Sequence, residues 1–310
     1  MSDRPNLSEI WNWLPVFRAI AESEHLPSAA KQLHVTPAAI SRTLGLLEDR
    51  LGYLLFNRSG KRLVLNGRGE VLRQAVTEAM TTVERGLRSL EENPFYGPLR
   101  VSAVGVLTNH YVLPALHSLT EAHGELEPEI QLLGTRAAAQ ALLRGDLDAA
   151  FIYEGMTLEG IHVEHLGHSP SSIYCGRDHP LFEADVVGLA EVLDHPFAVP
   201  HVGETGQVVD GWPADVERII GMRIQLLTSN LEICRRGRFL TVLPDVTARP
   251  CVMAGELRRL PLDVVPTTAL YAVRRTGDEG EPRARGAIEA VARRVQQIEA
   301  EMEEFRRDTG

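Results

Sequence analysis

Cysteine is scarce in this chain of 310 residues: Cys175, Cys234 and Cys251 are scattered, and none stands in a Cys-x-x-Cys pair. That excludes a disulfide framework and a thiolate zinc site, and it leaves three ordinary thiols that are expected to be buried. No run of about 18 apolar residues occurs, so no membrane-spanning helix is expected. Asp3, Arg4, Glu9, Arg18, Glu22 and Glu24 interrupt the first apolar stretch, so no signal peptide is expected either, and the cytoplasm is the expected compartment. Gly-x-Ser-x-Gly is absent, and Gly203 to Gly206 is no P-loop, so neither a catalytic set nor a cofactor is expected. Positive charge also falls short. With 32 Lys and Arg against 42 Asp and Glu, the net charge of −10 taken whole argues against a nucleic-acid partner.

What is present is an ordinary globular composition, 44% hydrophobic and 24% charged, long enough for about two domains. The charge is unevenly divided. Residues 1–93 hold 12 basic against 11 acidic side chains, whereas residues 94–310 hold 20 against 31. Within the first part, residues 42–73 carry seven cations (Arg42, Arg50, Arg58, Lys61, Arg62, Arg68, Arg73) against three acids, a candidate phosphate footprint.

Ile10, Trp13, Leu14, Phe17, Ile20 and Ala21 repeat at helical spacing, which predicts a first helix ending near His25. Ser28 to His34 reads as a short second helix. Thr36 as N-cap and Pro37 in the first turn open a third helix that runs to about Leu51, with Ile40, Leu44 and Leu47 inward. Arg62 to Leu65, among glycines, predicts a strand of a small ribbon. A helix from Glu70 to Glu92 follows, with Leu72, Val76, Ala79, Val83 and Leu90 on a heptad-like seam. Pro94 to Pro98 is a linker.

Helix, turn, capped helix and basic ribbon make the layout of a winged helix-turn-helix, whose third helix enters the DNA major groove. The inward stripe turns Ala38, Ser41, Arg42 and Gly45 outward. Ala38 suits a thymine methyl, Ser41 a phosphate or base, and Arg42 a guanine or the backbone. Thr36 and Pro37 bring the helix N-terminus to a phosphate. Arg58, Lys61 and Arg62 reach the flanking backbone or minor groove. The plainer alternative is a three-helix core with a solvated basic face.

The chain resembles the LysR-type transcriptional regulators through Phe17-Arg18-Ala19-Ile20-Ala21-Glu22, Ala29-Ala30-Lys31-Gln32-Leu33, Thr36-Pro37-Ala38-Ala39-Ile40-Ser41-Arg42, Leu47-Glu48-Asp49-Arg50-Leu51-Gly52 and Leu55-Phe56-Asn57-Arg58. The likeness is dense over about the first 70 residues. It continues more loosely through Gly97-Pro98-Leu99-Arg100-Val101, Leu142 to Ala150, Asp178-His179-Pro180-Leu181 and Leu243-Pro244. Three places depart from the family pattern: His25-Leu26-Pro27, Leu65-Asn66-Gly67-Arg68-Gly69, and Phe239 where a Gly is usual. The resemblance implies a homodimer paired through the long helix, with a homotetramer as a further expectation. It also implies a pseudo-palindromic double-stranded DNA operator, a small-molecule effector and, in an activator, contact with RNA polymerase.

The implied organisation is a winged helix-turn-helix domain over 1–66, a linker and dimerisation helix over 67–93, and an α/β effector domain over 94–310. That domain is similar to periplasmic binding proteins, with lobe one at 97–168 and 270–310 and lobe two at 169–269. Residue patterns agree with alternating strands and helices after Gly97: strands at 99–104, 130–133 and 148–153, with helices at 110–123 and 137–144, predict a mostly parallel sheet. Further strands are expected at 173–175, 197–200, 224–227, 240–243 and 270–273. Helices are expected at 215–221, near 231–236, and from Arg283 to Arg307.

Ligands sit beyond the C-terminal ends of parallel strands, which singles out Thr108, Asn109, Thr135, Arg136, Thr228, Ser229 and Asn230. Each is equally readable as a plain helix cap. His201, Gly203 and Thr205 lie in a polar loop that faces the same cleft in this reading, and Arg136 would suit an anionic effector. His162, His165 and His168 recur every three residues, but their Gly and β-branched neighbours favour extended structure, in which they do not converge on a metal. A rival from another class remains: a small-molecule binding protein or enzyme whose N-terminal helices only dimerise.

Overall fold

The computed structural model describes residues 6–59, 62–88, 93–153, 155–185, 187–200, 210–277 and 281–309. The chain falls into two compact units with a boundary at Pro94/Phe95.

In the first unit, α1 (Leu7–Ile10), a 3₁₀ turn (Trp11–Trp13) and α2 (Leu14–Ser23) stand where one helix is predicted. Next come α3 (Leu26–Gln32), α4 (Pro37–Leu51), the hairpin strands β1 (Phe56–Ser59) and β2 (Arg62–Leu65), and α5 (Gly67–Arg88). Phe17, Ile20, Ile40, Leu47 and Leu55 are fully enclosed and form the centre of the core. The second helix begins two residues before the predicted Ser28, because Pro27 falls in its first turn, where a missing N–H costs nothing. The long helix likewise begins at Gly67 instead of Glu70. Asn66 Oδ1 accepts the N–H groups of Arg68 and Gly69, both at 3.0 Å, and so caps it. Gly69 admits no side chain, since a Cβ there would lie 2.2 Å from the Leu55 carbonyl oxygen. Residues 89–92, at the predicted end of this helix, lie outside the described residues.

The second unit opens with β3 (Gly97–Ser102), a π-helical turn (Leu107–Val112) continuing into α6 (Leu113–Ala122), β4 (Leu126–Gln131), α7 (Thr135–Arg144) and β5 (Ala149–Ile152). There follow β6 (Ile161–Ser169), β7 (Ser171–Gly176), α8 (Leu189–Leu193), β8 (Phe197–Pro200), β9 (Ile220–Ile224) and α9 (Leu227–Arg235). The chain closes with β10 (Thr241–Pro244), α10 (Asp245–Met253), β11 (Leu257–Leu260), β12 (Thr268–Arg275) and α11 (Pro282–Asp308). One sheet has the order β4-β3-β5-β12-β6, another β10-β7-β11, and β8 pairs with β9.

The predicted mostly parallel sheet is mixed. β4, β3 and β5 run parallel, but β12 is antiparallel to both β5 and β6, because the chain re-enters the first sheet from the second after β11. The three-stranded sheet is antiparallel throughout. The helix predicted over 215–221 and the strand over 224–227 are also replaced, by a turn, β9 and the start of α9. Tertiary contacts override the local periodicity there. Arg218 makes two hydrogen bonds to Asp210 (2.9 and 2.7 Å), its guanidinium lies over the Trp212 and Phe197 rings, and the Trp212 indole donates to the Val216 carbonyl at 2.6 Å.

Helix α11 holds the first of these sheets from behind, burying Ala287, Val291, Val295, Ile298 and Met302. Its start is clamped. Arg283, 1% exposed, donates to Glu281 (2.9 Å) and to the carbonyls of Tyr96 (3.2 Å) and Pro98 (2.6 Å), while Glu281 also accepts the Ala284 N–H. Further along, α11 comes so close to β6 that a Cβ on Gly167 (φ 145°) would strike Val295 at 2.7 Å.

Candidate functional site

The first candidate surface is α4. The Thr36 side chain accepts the Ala39 N–H at 3.2 Å and Pro37 occupies the first turn, so the helix begins where predicted. Ile40, Leu44 and Leu47 are buried, which leaves Thr36, Pro37, Ala38, Ser41 and Arg42 exposed on the opposite side, with Gly45 half-buried. The neighbouring cations are mostly engaged. Arg50 pairs with Glu9 at 2.6 Å, Arg73 pairs with Glu70, and Arg68 stacks over Tyr53. Among the described residues, Arg42 has no ion pair or hydrogen bond of its own, so its guanidinium is available to a partner.

The hairpin is tied to the helices through Glu24, whose left-handed backbone (φ 48°) turns its carbonyl to the Leu63 N–H and its carboxylate to the Leu65 N–H. Arg58 and Arg62 lie on the two strands of this hairpin, paired in register with Leu63 and Ser59. Lys61 lies outside the described residues.

The second candidate is a cavity of about 320 Å³ in the C-terminal unit. Its wall takes Val104, Gly105 and Val106 from beyond β3, Tyr153 from beyond β5, and Ser171 and Thr268 from where the chain passes between sheets. Pro200, Asp210, Gly211, Gln225, Leu227, Asn230, Val242 and Pro244 complete it. The strand-end rule thus holds for β3 and β5. It fails for β4, an edge strand with two neighbours between it and β12, so Thr135 and Arg136 at the head of α7 are not on the wall.

Thr108 and Asn109 sit within the π turn, two and three residues past the wall residue Val106, and the Thr108 hydroxyl is buried with no hydrogen-bond partner among the described residues. Thr228 and Ser229 are likewise absent from the wall, while their neighbours Leu227 and Asn230 are on it. His201 and Thr205 lie outside the described residues. Tyr153, which sequence reasoning missed, places its hydroxyl 3.1 Å from the Leu107 N–H and accepts from it; burial holds this phenol well above the ordinary tyrosine range. Asp210 is on the wall with its charge matched by Arg218 behind it.

Phe239, the departure with the greatest reach for this region, is buried and does not enter the cavity. Its ring lies where a Cβ on Gly221 would come within 2.6 Å, so the bare glycine of β9 accommodates the extra ring.

The spaced histidines fall on β6. Pairing with β12 slips by one residue opposite Leu270 and Tyr271, and that bulge turns His165 and His168 to the same side, ring centroids 4.8 Å apart. His162 precedes the bulge by strand alternation on the other face. Cys175 and Cys234 are buried, and burial pushes both thiols up to about 12, which removes them from thiolate chemistry at neutral pH. No helix among the described residues is long and apolar enough to cross a membrane.

Comparison with known proteins gives two family matches. Residues 93–296 match the LysR substrate binding domain, and residues 11–70 match the bacterial regulatory helix-turn-helix protein, lysR family. The transcriptional activator AmpR of Pseudomonas aeruginosa is 27% identical over 91% of this chain and 93% of its own. The transcriptional regulator AlsR of Bacillus subtilis is 22% identical over 59% of this chain and 61% of its own. Among solved structures, a full-length OxyR variant from Pseudomonas aeruginosa superposes with a TM-score of 0.69 at 21% identity, covering 92% of this chain and 93% of that one.

Proposed function

Since the chain belongs to the LysR family of DNA-binding transcriptional regulators, we propose that α4 is its recognition helix and that the cavity of the C-terminal unit is its effector site. One observation carries the first assignment: Ala38, Ser41 and Arg42 stand exposed on a helix whose opposite stripe is buried and whose start is capped. Small residues at the head of the helix let it approach base edges, and Arg42 carries an unspent guanidinium to a guanine or phosphate. Thr36 and Pro37 present the helix start to the backbone, and Arg58 and Arg62 of the hairpin strands, with Lys61 from the sequence between them, extend the contact.

The acidic excess of residues 94–310 repels DNA and leaves the near-neutral N-terminal part as the docking face. Val71, Val83 and Leu87 on α5 are exposed apolar residues that a second copy would cover, which supports a homodimer reading two half-sites of a pseudo-palindrome. Occupancy of the cavity shifts the population between two arrangements of such a dimer. The work is done in the cytoplasm, where the DNA is.

Footprinting of bound genomic DNA, followed by titration of a footprinted duplex at several salt concentrations, tests this. A specific, salt-sensitive complex is expected. Retention that is indifferent to both sequence and salt refutes the assignment of α4.

A further inference from the structure

We propose that the cavity takes an uncharged, mainly apolar molecule carrying one hydrogen-bond donor, of the carboxamide or alcohol class, which it delivers to Asn230 Oδ1. This rests on the effector reading of the cavity and narrows it.

The Asn230 side chain is 1% exposed and lies on the wall. Its Nδ2 donates to the carbonyls of Ile224 (3.1 Å) and Leu226 (3.3 Å). Two carbonyl acceptors fix which end of the amide is nitrogen, so the other end is unambiguously oxygen. Among the described residues, that oxygen has no hydrogen-bond partner. A buried acceptor left unpaired is costly, and a donor arriving through the cavity satisfies it.

Charge selects against the ionic alternatives. Among the described residues, Asp210 is the one charged residue on the wall; it already gives both oxygens to Arg218, and the two side chains are 2% and 5% exposed. Arg136 is exposed and off the wall. Residues 201–209, between Pro200 and Asp210 in sequence, contain neither Lys nor Arg. A carboxylate in this hollow loses its water without gaining a counter-ion, and an ammonium meets a carboxylate already neutralised. The first turn of α9, which begins at the wall with Leu227, supplies a fractional positive charge that suits a carbonyl or hydroxyl oxygen. About 320 Å³ stands at the small end of the roughly 300–1,000 Å³ range of ligand pockets, so the molecule is small.

Four probes of one shape test this on the full chain: benzamide, acetophenone, benzoate and benzamidine, with dissociation constants from ligand-observed NMR. Benzamide is expected to bind most tightly. Acetophenone, which replaces the amide nitrogen by a methyl, is expected to be about tenfold weaker, and both ions weaker still. In Asn230→Leu the gap between benzamide and acetophenone closes. Val104→Phe, which puts a larger side chain on the wall and leaves Asn230 in the sequence, is expected to abolish binding of all four.

Tightest binding by benzoate or benzamidine, lost in Val104→Phe, overturns the ligand class and leaves the cavity as the effector site. Equal binding of benzamide and acetophenone by the unaltered chain overturns the role of Asn230. Binding unaffected by Val104→Phe, or no binding by any probe, overturns the cavity reading itself.

Discussion

On α4 the residues proposed to touch DNA lie close together in sequence, are exposed, and have little part in holding the helix together, while the stripe behind them does the packing. The cavity of the C-terminal unit is built the other way. Its wall is gathered from segments between Val104 and Thr268, and Asn230, Tyr153 and Asp210 each hold a piece of the scaffold while facing the hollow. The first surface can be rewritten without touching the fold. The second cannot, so specificity for DNA and specificity for a small molecule are under different constraints in one chain.

The sharpest way to break this comparison is to loosen the scaffold of the hollow at a distance. Arg283→Met removes the grip on Tyr96 and Pro98 at the start of β3, whose far end leads into Val104, and strands Glu281. Breaking such a buried pair costs about 3–5 kcal/mol. Calorimetry is expected to show the C-terminal unit melting early and losing its probe binding; an unchanged transition would mean the clamp is idle.

Acid is the next largest perturbation. His179 is buried against the His195 ring, 4.6 Å away, and burial, then the neighbouring histidine, lowers its pKa from 6.5 to about 4. The unfolded chain therefore takes the proton first as pH falls, so stability is whole above about 6.5 and declines down to about 4, by up to about 3 kcal/mol. His179→Asn keeps an acceptor for the Leu181 N–H and is expected to flatten that decline in urea melts between pH 7 and 4.

Smaller in energy but more telling for the N-terminal unit, Arg42→Ala and Ser41→Ala are expected to weaken specific DNA binding by about 1–3 kcal/mol if either side chain reads a base. Their melting temperatures should stay at the parental value. A drop in thermal stability comparable to the loss of affinity would erase the distinction between the two regions.

Thr36→Ala probes the one residue of that row with a structural duty, its cap on the Ala39 N–H. About 1 kcal/mol of stability should go with it, read by chemical denaturation, and a null effect would leave Pro37 as the sole organiser of the helix start.

The same contrast explains what could be read from sequence. Thr36, Pro37 and the Ile40, Leu44, Leu47 stripe follow one another at steps of no more than four residues, so α4 is legible to the residue. Asn66 carries an equally local cap, yet the glycines around it hid the start of α5. In the C-terminal unit the choice of the β3 end comes close to the wall, the end of β5 with Tyr153 is missed, and strand order is a long-range property, so Thr135 at β4 is chosen without the knowledge that β4 is the edge. Residues 215–221 carried helical periodicity that the Asp210–Arg218 pair and the Trp212 ring overrode. α10 and β11 went unseen because Pro250 interrupts one and the other is four residues long.

The arginine held over Trp212 has one more consequence. The sequence contains three tryptophans, at 11, 13 and 212, and the last is the one that follows the domain boundary. It sits two residues from Asp210 and one from Gly211, both on the cavity wall, with a guanidinium on its face. An indole in such a field changes emission colour when the field moves. With Trp11 and Trp13 replaced by phenylalanine, the protein becomes its own optical gauge of what the hollow contains.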